Sequence, residues 1–129
     1  MKCRVFLFGE AEKGEMCTPH RVSSPTQLFE EFGHPPENAV GIDYAMQTLL
    51  GESELIFYRV REEGFSKSDY LRGVKLLSNH GKKMNLSAIC LPGVGDKEII
   101  ESLGSICLKM RTILILSEKD LYDYLTTSK

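Results

Sequence analysis

No two cysteines or histidines in this sequence stand close enough together to suggest a metal clasp. Cys3, Cys17, Cys90 and Cys107 are far apart, and His20, His34 and His80 are scattered, whereas a zinc site draws on clustered ligands. No metal is expected. A disulfide framework is not expected either, because Cys90 and Cys107 lie inside apolar runs, where cysteine behaves as a small hydrophobe. The reading is four reduced thiols in a cytoplasmic protein. No apolar run approaches the length of a membrane span, and no apolar leader follows Lys2 and Arg4, so neither a membrane partner nor a secretory signal is expected. Basic charge is not in excess. Sixteen Lys and Arg face 18 Asp and Glu, for a formal net charge of −2, which argues against general affinity for nucleic acid or an anionic bilayer. The pairs Lys82-Lys83 and Lys109 with Arg111 are short and read as solvated surface.

Catalytic signatures are equally sparse. The chain has no G-x-S-x-G nucleophile elbow, no P-loop ending in GKS or GKT, and no G-x-G-x-x-G fingerprint. Cys90 sits inside an apolar stretch and reads as core, not as a catalytic thiolate. His20 follows Pro19 in a loop without a partner in sequence, and nothing recommends a triad. No catalytic residue and no cofactor is assigned. Internal repeats, low-complexity tracts and linkers are absent as well.

What is present is a well-punctuated α/β chain. Its 129 residues, 42% hydrophobic and 26% charged, suit one globular domain able to bury about two-thirds of its unfolded surface. Runs at 3–8 (CRVFLF), 54–60 (ELIFYRV), 86–91 (LSAICL) and 112–116 (TILIL) read as four strands. Ser24, Pro25 and Gln27 form a capping box that opens a helix with Leu28, Phe29 and Phe32 inward, and Gly33 stops it before Pro35-Pro36. Asn38 is expected to cap a second helix, with Ile42, Ala45, Met46, Leu49 and Leu50 as its inner stripe. Ser66 with Asp69 forms another capping-box pattern that opens a third helix, closing near 79–81. Asp96 caps a fourth, whose buried face is Ile99, Leu103, Ile106 and Met110. Ser117 with Asp120 starts a fifth through Leu121, Tyr124 and Leu125. The order βααβαβαβα predicts a single α/β domain over residues 1–129, with a four-stranded, mostly parallel sheet and helices on both faces.

Open parallel sheets bind ligands beyond the carboxyl ends of their strands. The loop PGVGD at 92–96 is the best small-molecule candidate there. Gly93 and Gly95 allow close backbone approach, and the amides of the following helix suit an anion. Asp96 at that same terminus competes for those amides, so a capped strand-to-helix turn is the plainer reading. Glu10, Glu12 and Asp96 would meet at a divalent cation only if strands one and three were adjacent. Arg59, on the face of Leu55 and Phe57, must snorkel, pair with an acidic neighbour or serve in binding; the strand-end ion pair is favoured.

The opening stretch, FLFGEAEKGEMCTPHRVSSPTQLFEEFG, resembles the start of the core of contractile-tail sheath proteins, found in phages and in phage-tail-like particles. That family runs from an apolar strand through a G-x-x-x-K/R-G-P segment and a V-x-S turn to a short helix ending in F-G. Gly9, Lys13, Gly14, Thr18, Pro19, Val22, Ser23, Phe29, Phe32 and Gly33 fall in that order. AVGIDYAMQTLL with LIFYRV, and then DYLRGVKLL through TILIL, continue it across nearly the whole chain. Glu15 stands where the family usually has proline, and GES replaces its glycine-paired turn. The N- and C-terminal arms of the family, which add strands to neighbouring sheets, have no counterpart here, so arm exchange is not expected of this core.

The resemblance implies a non-enzymatic structural or interaction domain acting through protein–protein contacts. Its partners would be further copies of itself or other components of a tail-like particle. It also implies a long first loop that forms a shaped surface, with Lys13 and Arg59 as interface candidates. The alternative is a small ligand- or anion-binding regulatory domain using the cleft beside PGVGD, with Gly93, Gly95, Asp96 and Glu10 as its contacts. An enzyme with an acidic or cysteine-based site ranks last.

Overall fold

The computed structural model describes residues 3–127. Five strands form one sheet: β1 (Arg4–Glu10), β2 (Pro19–Val22), β3 (Glu54–Val60), β4 (Ala88–Cys90) and β5 (Ile113–Ile115). Their spatial order is β2-β3-β1-β4-β5. β1 lies parallel to both β3 and β4, and β5 parallel to β4, while β2 runs antiparallel on the outer edge of β3. Among the described residues there are also five helices: α1 (Pro25–Phe32), α2 (Gly41–Leu50), α3 (Lys67–Met84), α4 (Lys97–Met110) and α5 (Glu118–Thr127).

Side chains alternate across the sheet, as strand geometry requires. Val5 and Leu7 of β1, with Leu55 and Phe57 of β3, pack under α1, α2 and α5. Phe6 and Phe8, with Ile56 and Tyr58, pack under α3 and α4. The result is an α/β sandwich with a core on each face, and both sides of β1 are covered. That is why its sequence reads as an unbroken apolar run.

The mostly parallel α/β sheet agrees with the sequence reading. β2 is an addition to it. PHRV is half polar, begins with proline and shows no clean alternation, so only its pairing to β3 declares it a strand; proline at the first residue of an edge strand leaves the ladder intact. His20 therefore lies in an edge strand, not in a loop. The expected helix ends also shift in two places. α3 passes through Gly81 and stops at Asn85, which adopts left-handed backbone with φ 55. α2 is capped neither by Asn38 nor by any side chain of its own N-cap, Val40.

The stripe of α2 is rotated from expectation. Ile42 and Ala45 are buried, but so are Tyr44 and Thr48, while Leu50 is 69% exposed. Wedged between α1 and the α5 side, α2 needs a wide buried face. Thr48 tolerates that face because its hydroxyl donates to the Tyr44 carbonyl at 2.9 Å. Phe29 of α1 is likewise more exposed than expected, leaving Leu28 and Phe32 as the buried pair. Asp96 caps α4 as read, accepting from the Ile99 amide at 3.1 Å. In α1 Ser24 accepts from the Gln27 amide at 3.1 Å, but the Gln27 side chain accepts from the Ser23 amide at 2.7 Å and not from that of Ser24.

Phe8, Tyr58 and Tyr70 pack ring to ring, with the Tyr58 and Tyr70 centroids 4.9 and 5.4 Å from that of Phe8. Gly73 of α3 makes room for them. A Cβ there would lie 2.4 Å from the Phe8 ring and 3.2 Å from that of Tyr58, and neither buried ring can retreat. Gly73→Ala is expected to destabilise the fold by about 1–3 kcal/mol through overpacking, read as a lower urea midpoint at unchanged slope.

Candidate functional site

The carboxyl ends of the strands meet in a crest. Leaving aside the edge strand β2, the parallel strands follow the order second, first, third, fourth. In sheets of this order the crevice opens where connections diverge to opposite faces, here between β1 and β4. β1 leads to α1 and α2 on one face, and β4 leads to α4 on the other. The N-terminus of α2 points into this region, where free backbone amides would favour an anion.

An anion already occupies it. Glu63, from the loop between β3 and α3, sends its carboxylate across the crest. The Val40 amide donates to it at 2.7 Å, and the Gly41 amide donates to both oxygens at 3.0 and 3.2 Å. The Glu10 amide, at the end of β1, donates at 3.0 Å. In return the Glu63 amide donates to the Glu10 carboxylate at 3.0 Å. Glu63 thus supplies the cap that α2 lacks from its own N-cap residue. Its side chain is buried, and burial pushes the carboxyl above its ordinary value of 4.5 although the three amides pull the other way.

The loop that carries Glu63 is tied down amide by amide. The Arg61 amide donates to the Asp69 carboxylate at 2.7 Å, that of Glu62 to the Ser66 hydroxyl at 3.0 Å, and that of Gly64 to the Tyr70 hydroxyl at 2.8 Å. With Glu63 bound to Glu10, four consecutive backbone donors are each met by a different side chain. Asp69 and Ser66 therefore do not form the expected reciprocal capping box; both turn to this loop. Gly64, at φ 86, lies so close to the Gly93 carbonyl that a Cβ would be 2.5 Å from that oxygen.

The residues read from sequence divide into two groups here. Glu10 and Gly93 flank Glu63, whose side-chain stem is 3.9 Å from where a Cβ on Gly93 would stand. Gly95 and Asp96 take no part. Gly95 faces open space, and Asp96 caps α4 while pairing with Lys67 at 3.3 Å. The Ile99 amide and then Lys67 hold the Asp96 carboxyl below its usual range. Lys67 also reaches Glu98 at 2.9 Å, linking the starts of α3 and α4. β1 and β4 are adjacent, yet Glu10, Glu12 and Asp96 do not converge. Glu12 accepts from the His34 amide at 2.7 Å after α1, and among the described residues no metal-competent cluster of three side chains forms.

Arg59 has no ion pair among the described residues, contrary to the favoured expectation. Its guanidinium donates to the Gly14 carbonyl, and its own carbonyl accepts from the Cys17 amide at 2.9 Å. Gly14, at φ 102, packs against Phe32, to which a Cβ would come within 2.8 Å. The long first loop is thereby pinned to β3 and to α1, with Lys13 exposed at its tip. Cys90 is core, its thiol pushed up by burial. His20 lies 4.0 Å from Glu31 and edge-on to Phe32.

Sequence reasoning missed Glu63. It sits in the charged run REEG, where nothing separates it from Glu62, and with Asn38 expected as the cap of α2 no signal pointed to a remote partner. A groove of about 720 Å3 opens at the opposite end of the sheet, lined by residues such as Arg4, Arg21, Leu49 and Glu54. Arg4 is not free within it, being bound to Glu54 at 2.7 Å. No family model, no curated protein and no solved structure matches this chain.

Because the folded Glu63 holds its proton more tightly than the unfolded chain does, its favourable contribution is fully present below pH 4.5 and is lost as pH rises through the raised value. Urea titrations across that range should show wild-type stability falling with pH by a component that Glu63→Gln lacks. A carboxamide offers one acceptor oxygen where the carboxylate offers two, so the variant should also be weaker by about 1–3 kcal/mol.

Proposed function

We propose that this chain is a non-enzymatic structural or interaction domain that acts through protein–protein contacts, in the manner implied by its resemblance to the core of a contractile-tail sheath subunit. The observation that carries this reading is the occupied crest. At the position where a sheet of this order would receive a ligand's anionic group, the three amides hold Glu63, and Gly64 packs against Gly93. A ligand entering there would have to displace a carboxylate fixed by three amides, on a loop whose own amides are fully engaged. The pinned first loop supports the same reading. Arg59, Gly14 and Phe32 shape residues 11–18 into a fixed surface, which suits recognition of another macromolecule.

The alternative, a small anion-binding domain beside PGVGD, makes an opposite forecast. A ligand present at a hundredfold excess over its dissociation constant stabilises the folded state by about 2.7 kcal/mol. Thermal-shift measurements with inorganic phosphate, nucleotides and phosphorylated sugars are expected to leave the melting temperature unchanged. A rise with any of them that disappears in Gly93→Val would overturn the interaction reading in favour of the cleft.

A further inference from the structure

Basic residues collect at the amino end of the sheet, opposite the crest. The sequence has no acidic residue between Asp69 and Asp96, nor between Glu101 and Glu118. These stretches bring Lys82, Lys83, Lys109 and Arg111 to the converging C-terminal ends of α3 and α4, and a groove of about 260 Å3 opens between those ends. The helices meet closely there, since a Cβ on Gly81 would lie 2.8 Å from the Met110 sulfur. Buried Leu86 and half-buried Met110 supply the apolar part of a mostly polar lining, while Lys82, Lys109 and Arg111 stand exposed around it.

The helix dipole accounts for Lys82, Lys83 and Lys109, which occupy last turns. It also favours Arg111, the C-cap residue of α4 in left-handed backbone at φ 53, but it does not account for the half-buried Met110 between Lys109 and Arg111. Among the described residues none of the four cations takes part in an ion pair. Leu108, next to Lys109, is 84% exposed.

We propose that this groove docks an acidic polypeptide segment with an apolar anchor, the anchor resting on Met110 beside Leu86 and its flanking carboxylates facing Lys82, Lys109 and Arg111. The inference rests on the reading of the chain as an interaction domain and names the partner's chemistry. Charge complementarity selects the carboxylates, and Met110, half-buried between Lys109 and Arg111, selects an apolar side chain between them. The adaptable thioether of Met110 accepts anchors of differing shape. A nucleic acid fits less well. The cations form a local cluster on a chain of net charge −2, so a long polyanion would be repelled along the rest of its length.

Fluorescence anisotropy tests this with the full chain and three probes: a labelled peptide with a central Leu-Phe pair between Asp/Glu runs, the same peptide with Ser-Ser at its centre, and an oligothymidylate. The Leu-Phe peptide should bind most tightly and should weaken as salt rises. Lys82→Glu with Lys109→Glu should weaken it about tenfold. Both side chains are exposed, so the melting temperature should fall only slightly, by the loss of two helix-dipole contacts. Absence of binding, or binding indifferent to the double charge reversal, overturns the proposal. So does equal affinity for the Ser-Ser peptide, or tighter binding of the oligothymidylate. Each of these outcomes removes the groove alone; the interaction reading falls only to a small-molecule thermal shift.

Discussion

The Glu63 carboxylate joins three segments that are distant in the chain: the end of β1, the start of α2 and the loop after β3. Bringing that charge out of water is costly, and the cost is tolerable only while all three amides point at it. The backbone around it is shaped accordingly. A Cβ on Gly41 would lie 2.5 Å from a Glu63 oxygen and 2.8 Å from the Cα of Gly9, and one on Gly9 would meet both Gly41 and the Phe57 ring at 3.1 Å. Two glycines on separate elements thus face each other so that a carboxylate can sit between them. The position of α2 on the sheet follows from that contact as much as from Ile42 and Ala45 beneath it.

The same arrangement gives the crest its character. In a sheet of this strand order the diverging connections would leave a crevice, and the chain fills it with its own side chain. What remains outward is a surface of pinned loops: residues 11–18 held through Gly14 and Arg59, and residues 61–64 held through Asp69, Ser66, Glu10 and Tyr70. Fixed loops lose little conformational entropy when another macromolecule docks on them. Rigidity of this kind is what the proposed interaction domain would require.

The sequence already disclosed most of the scaffold. β1 and β3 announced themselves because both of their faces are covered, and α1 and α4 because Ser24 and Asp96 do locally what their sequence context says. Local signals failed where the partner is remote. Asn38 looked like a cap, but the amides of α2 are met from Glu63. Ser66 and Asp69 looked like a capping box, yet both serve the preceding loop. PHRV carried no strand pattern, since β2 exists only through its pairing with β3. Arg59 was expected to form a strand-end ion pair; that its partner is instead a carbonyl 45 residues away is information only the tertiary structure holds. For the crest, Glu10 and Gly93 were legible and the residue between them was not.

The central strand is also the earliest of the five to be synthesised. Arg4 of β1 pairs with Glu54 of β3, and the β1 segment Val5 to Leu7 pairs with Ala88 to Cys90 of β4. Until residue 90 has cleared the ribosomal exit tunnel, this apolar strand lacks one of its two flanking neighbours. Such distant pairing slows folding and lengthens the interval in which VFLF stays accessible to chaperones or to other nascent chains.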